Sequence, residues 1–315
     1  MTVLNLSTST NEHAKSIAGH ITKGGHSVIQ VNFDQVTNGG LIMDVGASCI
    51  RINREYVDTD EISGVFVHHP LVDISKSVGG DDLDRKIIAA SWKSYIDWLE
   101  AKLTKSVWIN KVSASRESSP SLKQLQVAAS IGFRVPRSIF TNDIDALKRT
   151  FNGNQSVVLK PGALGLRIPG QRILTHVVDV ESLGPEDILQ APCFFQEYID
   201  KRFELRVHVI GNEVYTCEID SQASDKTKFD WRNYDIAHTP HRAYMLDDAT
   251  AVMCRKVTTE LGLLFGVIDL IVAKDGSIVF LECNSQGHWL WIEELTKLPI
   301  TASIANALIQ TDTPK

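Results

Sequence analysis

No stretch of this sequence is apolar for long enough to cross a bilayer, and no signal-peptide pattern follows Met1, so a membrane-bound or secreted protein is not expected. Cysteine is scarce. The five present, Cys49, Cys193, Cys217, Cys254 and Cys283, are odd in number and lack C-x-x-C spacing, which disfavours a disulfide framework or a zinc site and fits reduced thiols in the cytoplasm. Basic blocks are missing as well: 32 Lys and Arg stand against 38 Asp and Glu, and a net charge of −6 argues against nucleic acid as a partner. Internal repeats and low-complexity segments do not occur. What is there is 43% hydrophobic and 22% charged over 315 residues, enough to bury a substantial core divided between two or three lobes.

The chain opens as a βαβ unit. Residues 3–6 are a short strand, Ala14, Ile17, Ala18 and Ile21 fall on one helical face, Gly24 and Gly25 close that helix, and 28–33 form a second strand. Residues 41–57 alternate like a hairpin, and 64–67 make a further strand. Leu83, Ile87, Ile88, Trp92, Ile96, Leu99 and Leu103 recur at helical spacing and predict a long amphipathic helix with its apolar stripe in the core. Residues 107–110 would complete a parallel sheet. Ser118, Ser119 and Pro120 predict a helix start, with Lys123 in the first turn and Gly132 at the end. There the helix end and the lysine could face an anion together, the plain alternative being a solvated lysine. Another helix is predicted over 248–261.

The most informative segment lies near the carboxy terminus, where Lys274-Asp275-Gly276 reads as a hairpin turn between two apolar runs. Folding back there brings Asp269 beside Glu282 and Asn284, and the period of two along a strand puts Glu282 and Asn284 on one face. Two carboxylates and an amide carbonyl on a rigid face suit Mg²⁺, although an ordinary hairpin that carries acids reads the same way. The following Ser285-Gln286-Gly287-His288-Trp289-Leu290-Trp291 mixes polar groups with large aromatics, which either line a cleft or pack a core.

Two further segments could serve such a site. Residues 156–159 read as an apolar strand ending in Lys160, and residues 162–170 follow as a loop with three glycines and Arg167. Glycine amides can cradle phosphate, but the Walker ending is missing, and a plain connection is equally compatible. Residues 194–199 read as a buried strand, and 204–210 alternate, with Glu204, Arg206 and His208 on one face and Leu205, Val207 and Val209 on the other. The polar face is either solvated or the floor of a charged cleft. His68-His69-Pro70 ends a strand and reads as structural.

Taken in order, Lys160 with its glycine loop, Gln196-Glu197-Tyr198-Ile199, Glu204-Leu205-Arg206, Asp269 and Glu282-Cys283-Asn284 resemble an ATP-grasp ligase. Residues 203–207, Asp230-Trp231-Arg232 and residues 284–300 resemble more closely the maturases of microviridin and related graspetide pathways. The resemblance covers nearly the whole chain to Ile300. It implies an α/β fold with an amino-terminal pre-ATP-grasp domain (1–112), a central lobe (113–195) and a carboxy-terminal lobe (196–315) holding the metal and peptide site.

Roles follow from the same resemblance. Lys123 and Lys160 resemble the lysines that hold ATP phosphates; Gln196, Glu197, Tyr198 and Ile199 resemble the segment that meets the adenine edge; Glu204 resembles the acceptor for a ribose hydroxyl. Asp269, Glu282 and Asn284 resemble Mg²⁺ ligands, Arg206 the arginine that steadies the transferring phosphoryl group, and Asp230 and Arg232 the motif that engages the core peptide. The implied activity is ADP-forming: an Asp or Glu side chain of a ribosomally made precursor, built of leader and core, becomes an acyl phosphate that a Ser, Thr or Lys side chain displaces. Asp230 could take the incoming proton, Arg232 could grip a carboxylate bidentately, and the loop 162–170 could act as a lid. A homodimer in the cytoplasm is implied as well. A RimK-like ligase that adds an amino acid to a protein tail or small molecule shares these positions. A non-catalytic ATP-binding scaffold should lack a metal ligand or Arg206, and none is missing.

Overall fold

The computed structural model describes residues 1–35, 41–43, 49–52, 55–68, 81–152, 156–160, 176–188, 190–233 and 235–309. The glycine loop 162–170 with Arg167, together with His69 and Pro70, lies outside these residues.

The amino-terminal unit is a parallel sheet in the order β2-β1-β6-β7, formed by β1 (Thr2–Ser7), β2 (Ser27–Asn32), β6 (Ile62–Val67) and β7 (Val107–Ile109). Helix α1 (Glu12–Lys23) starts where the Asn11 side chain accepts a bond from the Ala14 amide and buries Ala14, Ile17 and Ile21, as its apolar spacing predicts. The stretch over 41–57 gives an antiparallel sheet of β3 (Leu41–Met43), β4 (Cys49–Ile52) and β5 (Glu55–Asp58).

The long helix α2 (Asp82–Lys102) departs from its expected packing. Ile96, Leu99 and Leu103 are buried beneath the sheet, but Leu83 is 64% and Ile87 55% exposed. The stripe keeps its helical period, yet only its later turns, from Ile88 on, join the core. A short helix, α3 (Val112–Ser118), then precedes α4 (Ser121–Ile131). The amides of Val112 and Ser113 donate to Glu100 of α2. Pro120 stands at the cap position of α4 without a side-chain cap bond, and Gly132 ends it at φ 113°.

A four-stranded antiparallel sheet follows, ordered β10-β9-β11-β8 and built from β8 (Ser138–Thr141), β9 (Ser156–Leu159), β10 (His176–Asp179) and β11 (Cys193–Glu197). Short helices α5 (Ile144–Thr150) and α6 (Pro185–Ile188) help close its core around Phe151, Val157 and Phe195. The last sheet is antiparallel and ordered β14-β13-β12-β15-β16, from β12 (Lys201–Ile210), β13 (Glu213–Ile219), β14 (His241–Tyr244), β15 (Phe265–Ala273) and β16 (Ile278–Asn284). One face of it packs on α4 and α7 (Asp248–Glu260), where Leu125, Ala128, Cys254 and Val257 meet Leu205, Val207, Val209 and Ile268. Its opposite face carries the polar residues of β12.

Helices α8 (Leu290–Thr296) and α9 (Ile300–Ile309) close the described chain. Although α9 falls in the segment expected to form the third lobe, it packs back on the first sheet. Ile300, Ile304 and Leu308 share a core with Val3, Ile17 and Phe66, and a Cβ on Gly64 would lie 2.4 Å from the Leu308 carbonyl oxygen. That close approach requires glycine. Asn110 ties the first sheet to the last: its amide group donates to the carbonyls of Phe265 and Ser285 and accepts from the amides of Leu264 and Phe265. Among the described residues, no helix is long and apolar enough to cross a membrane.

Candidate active site

Between the four-stranded and five-stranded sheets lies a cleft lined by Lys160, Gln196, Glu204, Asp230, Asp269 and Glu282. Its floor is the hairpin of β15 and β16. The two strands reverse at Gly276, whose φ of 85° needs a residue without Cβ, and Asp269 stands directly opposite Glu282. A bulge at Leu281 interrupts the ladder just beyond this pair, since Leu270 faces Phe280. The Asn284 amide donates to Glu282 Oε1 at 3.1 Å, so these two side chains share a face. Burial lifts the Asp269 carboxyl well above the usual carboxylate range; Arg206 opposes the rise and Glu282 adds to it. Burial acts on Glu282 the same way, but Lys160, Arg232 and the Asn284 bond outweigh it and leave that carboxyl low. An oxygen-only set of a buried carboxylate, a half-buried one and an amide fits a small hard dication.

Arg206 and Asp269 are partners across β12 and β15, joined from Nη1 to Oδ1 at 2.8 Å with both side chains buried. The guanidinium also lies 4.9 Å from the centre of the Trp231 ring, and its Nη2 reaches the His288 carbonyl at 3.4 Å. The polar face of β12 is therefore not solvated: Glu204, Arg206 and His208 are all buried. Burial first, then Arg206, pushes the His208 imidazole down to about 3.

Asp230 and Arg232 meet each other. Arg232 donates to both carboxylate oxygens of Asp230, from Nε to Oδ1 and from Nη2 to Oδ2, each at 2.8 Å, and Nη1 lies 3.9 Å from Glu282. The two-pronged edge expected to grip a substrate carboxylate is thus occupied by Asp230, and the remaining nitrogen is turned toward Glu282. Burial works against the Arg232 charge, but Asp230, Glu282 and Asp269 overcome it and raise its pKa.

Lys160 follows β9, its amide bonded to the Phe194 carbonyl, and lines the same cleft. Burial lowers its ammonium below the usual lysine range, while Glu282, Asp269 and Asp230 oppose that fall. Gln196 is buried and donates to Ser138 Oγ, and Glu197 Oε2 accepts from the Arg137 amide. Tyr198 and Ile199 follow beyond the end of the strand and line the cleft. Glu204 also lines it, with Oε1 accepting from Lys201 Nζ at 2.5 Å and from Ser221 Oγ at 2.9 Å. Lys123 is not part of this assembly. It is exposed on α4, and its Nζ donates to the Glu117 carbonyl at 3.0 Å.

Two contributors had no clear sequence signal. Gln124, next to Lys123, is buried and binds the edge of β16 at Cys283 in both directions: Nε2 to the carbonyl at 2.8 Å, and Oε1 from the amide at 2.9 Å. Lys201 joins the face of Glu204 because a bulge sets two residues of β12 against one of β15 and reverses the alternation. The aromatic segment after Asn284 divides: Trp289 is wholly buried and donates to Thr301 Oγ1, while His288 is exposed, its ring 4.7 Å from that of His13.

This arrangement recurs as a whole fold in solved structures. The macrocyclase MdnC of Microcystis aeruginosa, bound with precursor peptide MdnA, aligns at a TM-score of 0.83 and 24% identity over 98% of this chain and 100% of its own. A RiPP-associated ATP-grasp ligase of Chryseobacterium gregarium, in complex with ADP and a leader and core peptide, gives 0.83 and 24% over 98% and 96%. The chain has the ATP-grasp fold. The ATP-grasp ligase PsnB, complexed with a phosphomimetic variant of its minimal precursor, Mg and ADP, aligns at 0.77 with 19% identity over 98% of both chains. No protein-family model and no curated protein sequence matches this chain.

Proposed function

We propose that this ATP-grasp chain is an ADP-forming peptide ligase that closes side-chain rings in a ribosomally made precursor of leader and core. The observation that carries the reading is the pairing of two half-sites in one cleft. Lys160, residues 196–199 and Glu204 line it together with Asp230 and Arg232, and Asp269 and Glu282 line it as well. Structures of the same fold hold ADP, Mg and precursor peptides.

In the proposed reaction, a carboxylate oxygen of a peptide Asp or Glu attacks the γ-phosphorus of ATP, and the bond to the bridging oxygen breaks to release ADP. A hydroxyl of Ser or Thr, or a Lys amine, then attacks the acyl carbon of the resulting acyl phosphate, loses its proton and expels phosphate, leaving an ester or amide. Asp269, Glu282 and Asn284 would hold Mg²⁺, which neutralises phosphate charge when bound. Lys160 supplies a compact positive charge from the adjoining sheet. Arg206, fixed by Asp269 and by stacking on Trp231, steadies the transferring group, and Asp230 aims Arg232 at the peptide end. Residues 196–199 would meet the adenine and Glu204 a ribose hydroxyl. A homodimer in the cytoplasm goes with this reading on the strength of the resemblance.

Incubation of the chain with ATP, Mg²⁺ and a candidate precursor, followed by intact-mass analysis, tests the proposal. Loss of one water mass per ring, with matching ADP, is the expected result. A mass gain would mean ligation of a second molecule, and ADP release without change in the peptide would refute ring closure.

A further inference from the structure

We propose that Lys201 is a positioning residue that orients Glu204 toward the sugar of the nucleotide, an inference that rests on the nucleotide reading above. Lys201 and Glu204 are three residues apart on β12, a spacing that would send their side chains to opposite faces of a regular strand. The bulge between Lys201 and Phe203 cancels that parity, and both side chains turn into the cleft wall, 5% and 6% exposed. Both protein donors converge on one oxygen of the carboxylate: Lys201 Nζ at 2.5 Å and Ser221 Oγ at 2.9 Å reach Oε1. Oε2 accepts from none of the described residues. A carboxylate anchored through one oxygen presents the other in a fixed direction, which is what selection of a ligand hydroxyl requires. Lys201 Nζ also reaches the Phe229 carbonyl at 3.3 Å, immediately before Asp230, so the same ammonium braces the segment that carries the peptide motif.

A merely structural lysine would neutralise a buried acid without influencing which sugar binds. Binding of ATP, 2′-deoxyATP and 3′-deoxyATP, each with Mg²⁺, is measured by calorimetry on the full chain and on Lys201→Met, Lys201→Arg, Glu204→Gln and the Lys201→Met/Glu204→Gln double variant. The wild-type chain should prefer ATP to at least one deoxy nucleotide by about tenfold or more, as expected for a hydrogen bond to a charged group. Lys201→Met should lose most of that preference through weaker ATP binding, with the deoxy nucleotide changed by no more than about twofold. Lys201→Arg should recover part of it, and the double variant should resemble Glu204→Gln alone. Should Lys201→Met not fold, Ser221→Ala removes the other donor to the same oxygen and should lower the preference by about threefold.

Full preference retained in the variants, or an equal loss for all three nucleotides, would overturn the role of Lys201. Equal binding of all three by the wild-type chain would overturn it together with the role of Glu204. A wild-type chain that binds no ATP would overturn the nucleotide reading itself, a failure visible before any variant is made.

Discussion

Replacing Gln124 by leucine should loosen the metal-binding strand from outside the cleft. Strand β16 is the edge of its sheet, and an edge exposes backbone groups that need partners. Gln124 supplies them: its amide bonds the Cys283 carbonyl, the Cys283 amide and the Ser118 carbonyl, at 2.8, 2.9 and 2.8 Å. Cys283 and Ser118 are both buried, so Gln124→Leu strands three polar groups away from water. Each such bond contributes about 1 kcal/mol net, and the unsatisfied partners make its loss more costly, giving about 3 kcal/mol after the apolar side chain is credited. At a denaturant slope of about 3 kcal/mol/M, the urea midpoint should fall by about 1 M. Cys283 stands between Glu282 and Asn284, so ADP formation in the folded variant should also need more Mg²⁺ to reach half-maximal rate. A midpoint within about 0.2 M of wild type, with an unchanged Mg²⁺ requirement, would refute the reasoning.

Other perturbations read out different parts of the same cleft. Asp230→Asn removes the charge that fixes Arg232 and should lower ring closure by about tenfold or more while sparing ADP formation; equal loss in a paired ADP and mass assay would count against it. Gly287→Ala would place a Cβ 2.4 Å from Val267 Cγ2 and 2.5 Å from Val267 Cβ and should destabilise by about 2 kcal/mol in thermal melts, and Val267→Ala, which keeps that Cβ, should restore little of the loss. His208 has a folded pKa of about 3 against 6.5 unfolded, so the unfolded chain takes up the proton first as pH falls. Its contribution is complete above about pH 6.5 and declines toward pH 3, by about 2 kcal/mol at pH 5. A His208→Leu chain should show a correspondingly flatter loss of urea stability between pH 7 and 5.

The parts of the site that could be read from the sequence are those set by local chemistry. Gly276 turns the hairpin, and the period of two puts Glu282 and Asn284 on one face, but it is the bulge at Leu281 that sets Glu282 rather than Leu281 opposite Asp269. The alternation of β12 likewise separates Leu205, Val207 and Val209 from Glu204, Arg206 and His208, although only tertiary packing reveals that the polar face is buried. Register defects are a different matter. The bulge that brings Lys201 to Glu204 depends on how β12 pairs with β15, and alternation alone predicts the opposite face for that lysine. Gln124 reaches Cys283 across 159 positions, and nothing in the α4 pattern distinguishes it from Lys123, which faces solvent. For α2 the helical period is correct, but periodicity does not report which turns of the stripe join the core, and Leu83 and Ile87 lie exposed.

The charges around the cleft explain why orientation and charge supply are separate tasks. Its described cations are already engaged: Lys201 with Glu204, Arg206 with Asp269, and Arg232 with Asp230, while Lys160 is balanced chiefly by Glu282. Glu197 also lines the wall, so three lining cations, with Arg206 on Asp269 as a fourth, meet five carboxylates. These pairings fix side chains that would otherwise be long and mobile, at the cost of leaving no positive surplus among the described residues. A polyphosphate entering such a cleft meets no net attraction from these groups unless it arrives with its own cations. Mg²⁺ held by Asp269, Glu282 and Asn284 would therefore do more than fill a coordination site. It would reverse the local sign of the potential, taking the carboxylates as ligands and leaving Arg206, Arg232 and Lys160 with charge to direct at phosphate and peptide.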